Sequence, residues 1–579
     1  MGLGILEDNK LDHVPGTSYI LHHDSDADSG DEIPTDPNLK YDRSGKTPII
    51  LVPQPSDDPN DPLNWPLWKR DVILTVLSLV SVLCATASPL MAANTLTISV
   101  QYRWSFTDTA LLTGYHLCGV GVAGFFFVPT ARVWGKRHLF ILGNIIMIFS
   151  SAWAGASNGH YTSFLWARVF QGIGLAPFEA LVNAAVGDLY FVHERGKRMA
   201  LSNVALFGGA FLTPVLVGKI THEMGWQWSF YFVAIFSGAS LPLLFFFVPE
   251  TAYRRASHLN TDYGADGEPL PQPRLSESET TAGSPLCEND KADQENAANG
   301  EATSLPKEGE VKDEESNAEP QHQPIPKASF LQSLKLFNGR KTDESFWKLL
   351  LRPFPLFFHP GIFWACVTQG VIIGWTVFMG VILAVIFFKP PLWFTEVQTG
   401  YLYTGAFIGS ILGLIISGLL SDWTASLMTK WNKGKYEPEF RIVLVVFQLI
   451  FSSIGLYGFA YAANDVGRYG WLIPDVFFMF VIMGMVMGAV ATALYIVDAH
   501  RQIAIEAFTC LLVFKNMFSF VLTYYAYDWV STAMPKRVMI IIASVQVGIC
   551  LLSIPMYVFG KRNRSFFHRH DILKILGLW

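Results

Sequence analysis

Runs of apolar residues recur twelve times along the chain, each close to the ~20 residues a helix needs to cross a bilayer. They fall at about 72–97, 108–128, 138–156, 164–187, 199–220 and 228–249. After a polar gap they resume at about 360–388, 399–420, 441–463, 471–497, 504–528 and 537–559. In hydrocarbon a backbone must satisfy its own N–H and C=O groups, so each run predicts a helix. The pattern is that of an all-α membrane protein with 12 transmembrane helices in two six-helix bundles. The expected plan is a polar N-terminal tail over 1–70, a first bundle over 71–250, a central loop over 251–355, a second bundle over 356–560 and a short tail over 561–579.

The polar stretches have the composition of chain that cannot bury enough apolar surface to fold alone. Asp24, Asp26 and Asp28 cluster in the tail, and Glu, Asp, Ser, Asn and Pro dominate 262–328. Both segments are expected to be mostly disordered. Phe346 to Arg352 reads as a short helix lying in the interface. The first apolar run begins near Val72, too far in for a cleaved signal peptide, so the first helix is expected to direct its own insertion.

Composition agrees with lipid. Of 579 residues 51% are hydrophobic and 16% charged, and the mean hydropathy is +0.31; soluble proteins carry about 25% charged residues. The net charge of −6 gathers in the tails and the central stretch, with no basic field for nucleic acid. Five of the six cysteines lie inside apolar runs and none forms a close pair, so neither a disulfide framework nor a zinc site is expected. There is no Walker string, H-E-x-x-H or G-x-S-x-G, so ATP-driven pumping and hydrolysis are disfavoured and no cofactor or metal is expected.

Lysine and arginine set the orientation. The short loops and ends on one side carry eighteen, among them Lys69, Arg132, Arg195, Lys430 and Lys561; the other side carries six. Both termini and the central loop are therefore expected in the cytoplasm. An internal repeat supports duplication: Thr113-Gly114-Tyr115 with Gly119 in the second run, and Thr399-Gly400-Tyr401 with Gly405 in the eighth.

Three strings carry a resemblance. Val128 to Arg137 resembles a degraded G-x-x-x-D-R-x-G-R-R loop, in which Gly135, Lys136 and Arg137 match, Arg132 stands where the Asp is usual and Val128 replaces the first glycine. Its counterpart after the eighth run keeps Gly418 and Asp422. Arg168-Val-Phe-Gln171-Gly172-Ile-Gly174 resembles R-x-x-Q-G-x-G. Gly209 to Gly218 resembles G-x-x-x-G-P-x-x-G-G, with Gly209, Pro214 and Gly218 matching and Thr213 and Val217 in place of glycines. Together they resemble the major facilitator superfamily. Further strings, among them Asp61-Pro-Leu-Asn-Trp65, Asp188 to Gly196 and Phe514-Lys515-Asn516, are similar to the fungal drug:proton antiporter-like group, the branch that includes the yeast histidinol and polyamine transporter. The resemblance implies a 6+6 pseudo-symmetric fold, a small organic substrate, coupled protons, alternating access and a monomer. The antiporter-like helix favours efflux and the branch favours the plasma membrane; an importer of a cationic amine on the same fold and a non-transporting sensor are the alternatives.

Polar residues inside the runs are the candidate site. Glu179 lies eleven residues past Arg168, ~16 Å deeper along a helix, where a charged carboxylate is disfavoured unless partnered. Its loss and gain of a proton would serve coupling, with Asn183 on the same face. Lys515 and Asn516 sit midway along the eleventh run, and Lys515 is expected to face inward toward an acid of the second bundle. Arg168 either takes part in coupling and helix contacts or snorkels to the outer interface; Gln171 accompanies it. Asn94 and Gln369 are candidates for the cavity wall or for helix-to-helix hydrogen bonds. Trp375, Tyr401 and Tyr403 are candidates for stacking on substrate or for packing. Asp498, Arg501 and Glu506 are expected to meet loop cations as a latch.

Overall fold

The computed structural model describes residues 3–8, 10, 11, 14–19, 40–42, 49–51, 53–255, 326–388, 390, 392–433 and 435–579. Among these, 12 helical segments are long and apolar enough to cross a membrane. Span one is broken into α1 (Leu67–Ala85) and α2 (Leu90–Tyr102). Spans two to six are α3 (Phe106–Trp134), α4 (Arg137–Gly155), α5 (Tyr161–Leu189), α6 (Val192–Met224) and α7 (Trp226–Phe247). Three short helices lead into the second bundle: α8 (Phe330–Ser333), α9 (Phe346–Leu351) and α10 (Pro353–Phe357). Spans seven and eight are α11 (Pro360–Phe387) and the pair α12 (Glu396–Tyr401) and α13 (Thr404–Trp431). Span nine is α14 (Leu444–Ala462), joined through α15 (Val466–Tyr469) to span ten, α16 (Leu472–Ala499). Span eleven is α17 (Ala504–Ala533); span twelve is α18 (Pro535–Leu551) with α19 (Ser553–Arg569), and α20 (Ile572–Ile575) ends the chain.

Each bundle has its own apolar interior. Leu77, Met91, Phe140, Phe178 and Phe230 centre the first; Ile372, Phe378, Phe478, Val486 and Met539 centre the second. Outward faces carry Phe149, Phe236 and Leu419, all exposed as lipid-facing side chains would be. An even number of spans puts both ends of the chain on one side, called here the termini side.

The repeated glycines do equivalent work in the two bundles. A Cβ on Gly119 would stand 2.3 Å from the Val169 carbonyl of α5, and one on Gly405 2.6 Å from the Asp475 carbonyl of α16. Span two therefore packs backbone to backbone on span four as span eight does on span ten. Between bundles, Gly114 faces Phe520 of α17 and Gly400 faces the Pro214 carbonyl of α6. The bundles thus meet through spans two and eleven and through spans five and eight, the pairing a twofold duplication produces.

The N-terminal tail departs from expectation where it is described. Leu6 donates to the Val558 carbonyl, Tyr557 donates to the Leu3 carbonyl, and Ser18–Tyr19 pairs antiparallel with Lys435–Tyr436. Glu7 bridges to Lys561, while Thr17 bonds Glu437 at 2.7 Å. Arg564, buried, bonds both Glu437 and Glu439. The described residues between 3 and 19 are thus held on the second bundle by charges supplied from 435–565. Nor is 561–579 a free tail: α19 continues to Arg569 with Lys561 and Arg564 buried, and the Leu578 carbonyl accepts from Arg352 at 2.9 Å. Tyr41–Asp42 also pairs antiparallel with Ile49–Ile50, while the disorder reading for 20–39, 43–48 and 256–325 lies outside the described residues.

Just before span one, buried Asp61 caps a short turn at the Leu63 amide and takes a bidentate Arg255. Burial pushes its carboxyl up, but the Arg255 hydrogen bond and charge outweigh this and hold it below the usual range. The Asp61-Pro-Leu-Asn-Trp65 string therefore ties the chain entering α1 to the chain leaving α7.

Candidate functional site

Helix geometry carries Glu179 and Lys515 to similar depths, ten residues from the termini-side end of α5 and eleven from that of α17, or ~15–17 Å. There the Lys515 Nζ donates to the Glu179 carboxylate across the gap between bundles. Their side chains keep only 13% and 14% exposure. Pro177 lies two residues before Glu179 and supplies no amide to the helix ladder at that level. Phe514 and Phe518 flank Lys515 on α17, and Trp375 of α11 meets Phe518 edge to face at 5.6 Å. The expectation that Lys515 pairs with an acid of the second bundle is corrected: its partner belongs to the first. Sequence separation of 336 residues gives no local signal for such a pair.

Arg168 does not snorkel. It is fully buried, and its Nη1 donates to the Ala87 carbonyl at 2.8 Å, its Nη2 to Ser88 at 3.4 Å and its Nε to Leu112 at 3.3 Å. Ala87 and Ser88 lie at the break between α1 and α2, where the helix cannot satisfy those carbonyls itself. Arg168 also bonds the Gln171 amide oxygen, and Gln171 donates to Ser151 of α4 at 2.8 Å. This cluster holds the break in place and lies apart from Glu179.

Asn183, Asn94, Gln369 and Tyr403 tie helices together rather than gathering at the pair. Asn183 accepts from Ser202 at 2.8 Å and bonds Asn203 on α6. Asn94 accepts from Thr221 of α6. Gln369 accepts from Thr492 of α16 at 2.9 Å. Asn516 donates to the Leu512 carbonyl of its own helix and backs onto Gly121 of α3. Tyr403 donates to the Gly380 carbonyl, and Tyr401 is half exposed on span eight.

On the termini side the signature loop makes two contacts. First, Gly135, at φ +96°, opens a seat for the buried Glu250 carboxylate, which accepts from the Lys136 amide at 3.0 Å and the Arg137 amide at 3.1 Å. Those are the free amides at the start of α4, a natural anion seat. The Lys136 ammonium bonds Asp188, and Arg137 donates to the Val248 and Phe245 carbonyls at the end of α7. A Cβ at position 135 would fall 2.2 Å from Glu250 Oε2. Gly135→Ala should therefore destabilise by about 2 kcal/mol or more, from left-handed strain plus the lost seat, and lower the unfolding midpoint in detergent. Glu250→Gln should cost less. An unchanged midpoint in the alanine variant would show that the seat carries no stability.

Second, Arg132 bonds Glu506 at the start of α17 and reaches Glu344 at 3.2 Å; Arg352 bonds Glu344 at 2.8 Å and Glu506 at 3.4 Å. Two cations and two anions join the bundles beneath the Glu179–Lys515 pair. Arg132 thus makes a latch of inverted sign, acid opposite base where the usual loop has an Asp. Glu506 was expected at the latch, but Glu250, Glu344 and Arg352 were missed; nothing in the neighbourhood of any of them announces a partner more than a hundred residues away. Asp498 meets Arg441 within the second bundle at 3.2 Å rather than a cation of the first. Gly418 lies within α13 with open space beside it, and Asp422 is exposed, 3.7 Å from Arg441. The second copy of the loop therefore makes no crossing between bundles among the described residues. The side chain of Arg195 lies outside the described residues.

On the far side the antiporter-like helix faces two neighbours. Gly209 lies against Val82 of α1, while Gly218 and Pro214 meet α12 at Glu396 and Gly400. Glu396 accepts from Thr97 of α2 at 2.9 Å. The bundles therefore touch at both ends, with the Glu179–Lys515 pair between.

A profile of the Major Facilitator Superfamily matches residues 74–503. Protein HOL1 of Saccharomyces cerevisiae is 24% identical over 579 residues, covering 96% of each chain. The MFS transporter cpaT of Aspergillus oryzae is 23% identical over 509 residues, 88% of this chain and 90% of that one. Among solved structures, a D-xylose-proton symporter superposes with a TM-score of 0.54 at 13% identity, over 85% of this chain and 99% of that one.

Proposed function

This chain belongs to the Major Facilitator Superfamily, and from that premise we propose that it is a proton-coupled exporter of small organic molecules working by alternating access. Proteins of this superfamily are transporters rather than enzymes, and the chain is a multi-pass membrane transporter. What supports proton coupling is the ion pair between Glu179 and Lys515, which crosses between bundles inside the membrane-spanning region.

A carboxylate and an ammonium held out of water need each other, because either alone is costly to bury. A proton on Glu179 removes the attraction and frees the bundles to separate at that level. Loss of the proton restores it. A cationic substrate that takes the place of Lys515 at the carboxylate would be released when Glu179 is protonated, which makes proton and substrate alternate at one group. Beside Lys515 on the same helix, Phe514 and Phe518 pack against Gly370 and Gly374 of α11, and Trp375 packs on Phe518. Efflux is the direction favoured by Gly209, Pro214 and Gly218 on α6. The excess of lysine and arginine on the termini side supports a cytoplasmic location for both ends, and we place the protein in the plasma membrane.

The test uses purified protein in liposomes under an imposed pH gradient, with labelled spermidine and a cationic dye as probes. Gradient-driven movement should fall more than tenfold in Glu179→Gln while gradient-independent exchange persists. Coupled transport unchanged in that variant would remove Glu179 from the mechanism. Accumulation in the same direction as the proton would instead make the protein an importer of amines, and absence of flux for every probe would favour a sensor.

A further inference from the structure

A cleft on the termini side, away from Glu179 and Lys515, is lined by several lysines. It holds about 330 Å³ between the chain entering α1, the chain leaving α7 and residues 327–341. The walls are pinned to one another. Asn60 donates to the Pro326 carbonyl and accepts from the Ala328 amide, and the Lys341 amide donates to the Val133 carbonyl of α3.

Four lysines line it: Lys69, Lys327, Lys335 and Lys341. Among the described residues, none of their ammonium groups has a carboxylate within ion-pair reach, although Lys69 stacks on the Trp65 ring at 3.8 Å. The single acid in the lining, Glu250, is already held by the amides of Lys136, Arg137 and Ala252. Four cations lining one cleft repel one another, and an anion entering it would relieve that repulsion. The cleft also begins where α1 begins, with Trp65 and Lys69 at the edge of the first span.

We propose that this cleft binds a multiply phosphorylated anion. The shared chemistry is a cluster of phosphate oxygens, which a lipid headgroup of the inositol phosphate type or a soluble polyphosphate can equally supply. The cleft does not touch Glu179 or Lys515, so this inference stands independently of the transport reading.

The full chain is reconstituted in nanodiscs of phosphatidylcholine with and without phosphatidylinositol bisphosphate, and binding of inositol trisphosphate is measured separately in detergent. Lys327→Gln, Lys335→Gln and Lys341→Gln are combined in one variant, and Lys430→Gln, Arg569→Gln and Lys574→Gln in a charge-matched control at exposed positions elsewhere on the termini side. The first variant should weaken binding on the order of a hundredfold, at the ~1 kcal/mol that each lysine contributes near such an anion. The control should leave binding within a factor of two or three. Binding of both probes identifies phosphate in either form as the ligand, and binding of the lipid alone identifies the headgroup in its bilayer. No binding of either probe by the unmodified protein, or equal losses in both variants, overturns the proposal.

Discussion

Lys515→Met alone is expected to cripple the folded protein, while Lys515→Met combined with Glu179→Gln should recover most of its stability. The single change leaves the largely buried Glu179 carboxylate without its cation. Breaking a buried pair in this way costs about 3–5 kcal/mol, whereas replacing both members by neutral side chains of similar size is often close to neutral. The pair retains 13% and 14% exposure, so the lower end of that range applies. Denaturant unfolding in detergent of the two single variants and the double gives the coupling energy directly. A coupling below about 0.5 kcal/mol would mean that the two charges do not lean on each other in the folded state. The double variant is also the sharper probe of function. It should fold and yet move nothing against a pH gradient, because neither member of the pair is left to hold or release a proton.

Arg168→Leu should be worse still, and no second change near it should rescue it. Its guanidinium serves acceptors on three elements: the broken turn at Ala87 and Ser88, the Leu112 carbonyl of α3 and the Gln171 side chain. Each buried acceptor left unpaired costs about 1–3 kcal/mol, so the loss is on the order of several kcal/mol even after removing the burden of a buried charge. Lysine is expected to be a poor substitute, since one ammonium cannot reproduce the planar fork that reaches separate carbonyls. The readout is the yield of monodisperse protein and its unfolding midpoint. An Arg168→Leu protein that unfolds like the unmodified chain would show that the break in span one is stable without a cap.

These two clusters mark the boundary of what the sequence makes legible. The spans are legible because hydrocarbon imposes one length and one solution on the backbone. The duplication is legible because the glycines of Thr113-Gly114-Tyr115 and Thr399-Gly400-Tyr401 must recur wherever backbones touch. Arg168 and Glu179 are visible as residues too costly to sit in lipid without a reason. What the sequence hides is the partner. Arg168 turned out to serve carbonyls, which look alike at every position. Lys515 meets an acid from the other bundle, and only the packing of α3 against α17 brings the two together. The N-terminal tail misleads for a related cause: composition judges whether a segment can fold alone, and Glu7 and Thr17 are ordered by Lys561 and Glu437 on a surface made by the second bundle.

The latch at Arg132 has a consequence for descent. Its attraction to Glu506 depends on opposite charge, so a lineage can exchange the two signs only by changing both positions, in either order through an intermediate that is briefly repelled. Relatives that carry an aspartate at the position of Arg132 should therefore carry a base, or at least no acid, at the position of Glu506. The two columns inherit as a pair, although they stand 374 positions apart.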